Sequence, residues 1–190
     1  AGIKGKHDVG NNIFDWQLRV DQGTGLLDVM DSIPGGTDPR YWAHKAQANL
    51  TVPLPDNHGI WRMSFQAQDS QTNAPTLAQM YIGSRYNVRG YQDNSLYGGT
   101  GAWLRNDLES SPIRVDQMSL TPYVGYDAGH IKPNAQQQVS QHHVTGMAVG
   151  LRMDWGKVET DLAYTRALSR PEEFANESRE RWLAHLSIAF

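Results

Sequence analysis

Apolar and polar residues take turns along most of this chain, and few sequence features restrict a fold more tightly. In "HVTGMAVGLRMDW", Met147, Val149, Leu151, Met153 and Trp155 fill alternate positions, with Gly146, Ala148, Gly150, Arg152 and Asp154 between them. "NIFDWQLRVD" sets Phe14, Trp16, Leu18 and Val20 against Asp15, Gln17, Arg19 and Asp21. Successive side chains of a strand point to opposite faces, so this period of two dictates β-structure. About eight strands of roughly nine to twelve residues emerge, over 13–23, 41–53, 59–69, 101–109, 116–129, 143–154, 157–168 and 181–190. Short connections ("LPDNHG", "ESSPIRV", "WGKV") alternate with long ones (25–40, 70–100, 130–142, 169–180). One end of an antiparallel sheet therefore carries tight turns and the other carries large loops.

The next question is which way the apolar face looks. Mean hydropathy is −0.58, and no run approaches the roughly 20 apolar residues of a membrane helix. The chain opens "AGIKGKHDVGNN", without the apolar core of a secretory signal. A soluble barrel or sandwich would turn the apolar face inward. Three features favour the inverse. Strands of about 9–11 residues suit a tilted bilayer crossing, whereas soluble strands average about 5–6. Ionised residues recur on the polar faces, as in a wet lumen, and the apolar faces have almost none. Trp16, Trp42, Trp61, Trp155 and Trp182 are read as lying near strand ends, where an interfacial girdle would place them. The expected fold is all-β: antiparallel transmembrane barrel strands with short turns at one end and long loops, the opening stretch among them, at the other. Arg19, Lys45, Arg62, Arg105, Asp107, Arg152, Glu159 and Asp161 then line the lumen.

Several function classes recede on composition. The formal charge is −3, with 17 basic and 20 acidic residues and no block of one sign. A nucleic-acid surface would show a clustered basic face. With no cysteine, thiolate metal sites and disulfides are excluded. His142 and His143 are adjacent, so on a strand they point apart and form no metal pair. No nucleotide-phosphate loop or nucleophile elbow appears, and no cofactor or catalytic residue is expected.

The segment "YIGSRYNVRGYQDNSLYGG", 81–99, is too long for a hairpin turn. Its "NVRGYQD" resembles the VRGF/VRGY motif of two-partner secretion transporters, the TpsB family of FhaC, ShlB and CdiB within the BamA superfamily. A second family motif, G-x-D-x-G, is matched by "VGYDAGH", with Gly125, Asp127 and Gly129. Alternation independently places Asp127 on the polar face. The resemblance implies that Val88, Arg89, Gly90 and Tyr91 form the tip of a loop folded back into the lumen, where Arg89 meets Asp127. A guanidinium can grip a carboxylate through two parallel bonds. In a wet lumen the pair is expected to be only partly buried. The chain departs from the family where a double glycine often precedes the motif and Gly83-Ser84 stands here.

"WLAHLSIAF" resembles the carboxy-terminal signal of bacterial outer-membrane proteins, ending at Phe190. It implies insertion by the barrel-assembly machinery and contact with outer-membrane lipids in a Gram-negative bacterium, and it sets the orientation: short turns periplasmic, long loops extracellular. Family members carry a 16-stranded barrel behind two POTRA domains, so residues 1–190 correspond to a carboxy-terminal half-barrel without a POTRA domain. The implied function is export of a large partner exoprotein: an adhesin, a haemolysin or a contact-dependent toxin. Two alternatives stay open: a small eight-stranded barrel with a structural or adhesive role, and a lipid-modifying enzyme. The latter would use His44, a polar break in an apolar face.

Overall fold

A computed structural model describes residues 1–24, 40–70, 75–91, 95–132, 142–169, 171–176 and 178–189. Most of the long connections 25–40 and 130–142, and Phe190, lie outside the described residues. Twelve strands occur among those described: β1 (Gly2–Val9), β2 (Asn12–Gln22), β3 (Trp42–Pro53), β4 (Gly59–Ser70), β5 (Met80–Ile82), β6 (Leu96–Gly98), β7 (Thr100–Ser110), β8 (Ile113–Val115), β9 (Met118–Lys132), β10 (His143–Trp155), β11 (Val158–Ser169) and β12 (Glu180–Ile188). The main sheet runs β1-β2-β3-β4-β7-β9-β10-β11-β12, every neighbour antiparallel. β8 adds a short rung on β9, and β5 and β6 form their own ribbon. β1 and β12 do not pair, so the described strands make an open sheet and not a small closed barrel.

Exposure settles the direction of the two faces. Val149 and Leu151 are 48% and 39% exposed, while Asp127 and Thr165 on the opposite face are fully buried. Greasy positions look outward. Polar ones lie under residues 80–91 and 95–98, the arrangement expected of a lipid-facing barrel wall and the inverse of a soluble core.

The strand count exceeds the sequence reading by the short β5, β6 and β8 and by β1, which belongs to the sheet and not to a loop. Its outward positions read Ile3, Gly5, His7 and Val9, which dilutes the apolar signal. The indole of Trp16 covers the gap, coming within 2.7 Å of where a Cβ on Gly5 would stand. That contact also corrects the placement of Trp16. Its ring lies at mid-strand over a glycine, whereas Trp42 and Trp155 do end their strands. β9 continues to Lys132, past the expected boundary at 129.

Candidate functional site

The long connection between β4 and β7 turns back over the polar face. Both of its ends are pinned by one side chain: Gln68 Nε2 donates to the carbonyls of Ala78 at 2.8 Å and Gly99 at 3.0 Å. Three cross-strand pairs then build the β5–β6 ribbon. Asn87 shapes the turn that follows. Its Oδ1 accepts from the amides of Gly83, Ser84 and Val88 at 3.0, 3.0 and 2.7 Å, and its Nδ2 donates to Tyr81 O at 2.8 Å. Of the Gly83-Ser84 pair only Gly83 adopts positive φ, +103°. The turn needs one glycine, so the serine costs it nothing.

Beyond Asn87 the four motif residues each meet the wall. Val88 is buried with Met80, Ile82 and Leu96 against Ile131 and Val144. Gly129 makes this packing possible, since a Cβ there would stand 2.6 Å from Ile82 and 3.0 Å from Val88. Gly90 has φ +96° and presses on the backbone of Ala167 so closely that any side chain would collide. Tyr91 is buried, and its hydroxyl donates toward Thr145 O at 2.9 Å and lies against Ser169 O as well.

Arg89 is held most elaborately. Its Nε and Nη2 donate to the two oxygens of Asp127 at 2.7 Å each, and its backbone N–H donates to the same carboxylate at 3.0 Å. Asp107 lies 2.7 Å from Nη2 as a second acid. Burial alone disfavours the guanidinium's charge, but the bonds to Asp127 and Asp107 outweigh it and hold the Arg89 pKa above that of a free arginine. The arginine and aspartate side chains are 2% and 0% exposed, so the pair is enclosed, not partly wet as the sequence reading expected. The reason is local. The apolar cluster around Val88 closes one side, and Gly125 lets the guanidinium lie flat on the sheet, where a Cβ would overlap it.

Further lumen candidates extend this contact into a ladder. Asp107 also faces Arg105 and Arg152, each at 3.3 Å. Glu109 takes Arg62 at 2.8 Å and Arg152. Arg152 also lies 3.7 Å from Asp161 and sits over the Tyr123 ring at 4.5 Å. Four arginines thus alternate with four acids: Asp107, Glu109, Asp127 and Asp161. Arg19 and Lys45 belong elsewhere, sharing Asp21 at 2.8 and 3.0 Å. Glu159 lies on the polar face and is exposed, without an ion pair among the described residues.

Three contributors escaped the sequence reading. Glu109 was readable, two positions from Asp107 on the same face. Gly146 stands across from Asp127, and a Cβ there would strike the Arg89 carbonyl; its only signal was cross-strand register. Phe174 of the β11–β12 connection packs into the Val88 cluster and had no signal at all. His44 lies directly across from Val20 and Asp69, with no serine at either cross-strand position. Among the described residues no group of histidines and acids could hold a metal.

With this geometry in place, comparison with known proteins is informative. The family model for haemolysin secretion/activation protein ShlB/FhaC/HecB matches residues 1–153. The outer membrane transporter CdiB-2 of Burkholderia pseudomallei is 29% identical over 157 residues, 80% of this chain and 26% of the relative. The hemolysin transporter proteins HpmB of Proteus mirabilis and ShlB of Serratia marcescens are 25% and 26% identical, over 85% and 95% of this chain but 29% and 32% of their own. CdiB from Escherichia coli superposes with a TM-score of 0.87 over 100% of this chain and 36% of its own, at 20% identity. The chain therefore spans about a quarter to a third of the length of the relatives it matches. It belongs to the ShlB/FhaC/HecB haemolysin secretion/activation family, as an outer-membrane β-barrel segment.

Proposed function

We propose that this segment is the carboxy-terminal part of a two-partner secretion transporter that exports a large exoprotein from periplasm to cell surface. The carrying observation is the enclosed Arg89–Asp127 contact, which ties an 80–98 segment to the polar face where an exported chain would pass. Held there, the segment obstructs the path; released, it opens a way lined by Arg62, Arg105, Asp107, Arg152, Glu159 and Asp161, with Arg19 and Lys45 farther along the same face on β2 and β3. A charged lining keeps water in the path and offers an unfolded chain no apolar surface to stick to. Val88, Gly90 and Tyr91 shape the tip, while Gly125 and Gly129 leave it room. The names of the relatives support a transporter over an enzyme. Phe190 serves recognition by the barrel-assembly machinery. The barrel itself uses no cofactor.

The test uses the full-length protein. Arg89→Ala lowers secretion of the partner exoprotein while the amount of folded barrel in the outer membrane stays the same. Undiminished export at equal barrel abundance would overturn the latch.

A further inference from the structure

Along most of each strand the outward face is apolar, yet ionisable side chains gather at its long-loop end on β9 and β10. His130 and Lys132 occupy the last two outward positions of β9. His143, which opens β10, lies directly across from His130. The ring of His142 is 6.3 Å from that of His130. All four residues are exposed, and none has an ion-pair partner among the described residues. An outward acid, Asp69, lies two strands away and already accepts from the Thr100 hydroxyl at 3.0 Å.

Below this rim the same two strands continue as an apolar wall. Val124 and Tyr126 of β9 are half exposed, and Met147, Val149 and Leu151 stand beside them on β10. At the short-turn end the outward positions are Met118 and Trp155, paired across the strands, with no cation. Arg166 of β11, across from Met147, is a further outward cation, but it lies 3.8 Å from Glu180. Among the described outward residues of β9 to β11, a cation without an acid partner thus occurs only at the long-loop end of a surface that otherwise meets hydrocarbon. The long loops place that end at the outer leaflet.

We propose that Lys132, His130 and His143, with His142 beside them, bind the phosphate of an outer-leaflet phosphoglycolipid whose acyl chains lie along Val124, Tyr126, Met147 and Val149. Side chains directly across a sheet sit about 4.5–5.5 Å apart and diagonal ones about 7–8 Å. One phosphate can therefore reach the lysine and both histidines together. The ammonium offers three donors, and an imidazole offers at least one N–H whether charged or neutral. Charge-assisted bonds of this kind are roughly twice as strong as neutral ones. The inference requires that the outward face meet lipid and that the long-loop end lie in the outer leaflet, and it holds whether or not the protein exports anything.

The experiment measures retention of lipid A by the full-length protein purified in detergent, using native mass spectrometry, against the same glycolipid stripped of phosphate. The wild type retains the phosphorylated form. Replacing the three residues (H130Q, K132Q and H143Q together) lowers retention by about tenfold or more, to the level of the dephosphorylated lipid. Should the triple variant fail to fold, Lys132→Glu alone shows a loss in the same direction. Equal retention of the two glycolipids, or unchanged retention by a folded variant, would overturn the proposal. So would competition by inorganic phosphate as effective as that of lipid A, because the apolar wall would then contribute nothing.

Discussion

Removing the carboxylate at Asp127 isolates what holds the 80–98 segment to the wall. Asp127→Ala deletes three bonds: two from the guanidinium at 2.7 Å and one from the Arg89 amide at 3.0 Å. Taking one partner from a buried pair costs about 3–5 kcal/mol, because the other charge stays desolvated. Here Asp107 remains 2.7 Å from Nη2 and offsets part of that, so the lower figure, about 3 kcal/mol, applies. The strands keep their ladders, so the cost falls on local opening and not on unfolding of the sheet. At about 1.4 kcal/mol per decade the open population rises roughly a hundredfold. Hydrogen exchange reads this directly in the full-length protein. The amides of Gly83, Ser84 and Val88, all bonded to Asn87 within the segment, exchange about a hundredfold faster, while β9 and β10 amides are unchanged. Exchange within about threefold of wild type at all three amides would refute the reasoning, since the segment would then be held without the ion pair.

Two further substitutions test the fit of the tip and the orientation of the wall. Gly90→Ala places a Cβ against Ala167 at φ +96°, and Gly146→Ala places one against the Arg89 carbonyl. Both obstacles are backbone, so each variant lifts the tip and accelerates segment exchange as Asp127→Ala does; wild-type exchange would count against the packing described. Val149→Arg puts a charge at the middle of β10 on the outward face, at a cost of about 2–4 kcal/mol near the bilayer centre. The yield of folded barrel in the outer membrane falls, whereas Ala148→Ser on the opposite face leaves it intact; an unaffected Val149→Arg would argue that this face does not meet lipid.

Strands and faces were legible because one rule governs them. Alternation works residue by residue, and Asp127 could be set on the polar side without knowing any partner. It failed at β1, where glycine and histidine occupy outward positions and the compensating surface comes from Trp16 on the next strand. A cross-strand loan leaves no mark in the lending segment. The same limit applies at the site. Arg89 and Asp127 were found through paired motifs, but Gly146 and Phe174 act through proximity that only register and loop packing create. The dryness of the pair was misjudged for a related reason. It depends on Val88, Ile82, Leu96, Ile131 and Val144 converging from four separate stretches of chain.

A buried ion pair is an odd fastener if permanence is the aim, since apolar side chains of similar size often hold as well or better. Its merit lies in what happens on release. When the segment departs, water reaches both charges and restores much of what burial cost, so the open state is penalised less than an exposed apolar face would be. For the proposed release, the wall also offers a second arginine. Arg105 sits directly across from Asp127, and in the closed state it donates to Arg85 O of the segment itself at 2.8 Å. On release that bond is lost, and Arg105, still paired with Asp107, stands beside the vacated carboxylate. The apolar cluster at Val88 and the ionic tip thus hold the segment together, and the tip also fixes its register on the wall. A contact built this way favours reversibility over strength, as the proposed release of the segment requires.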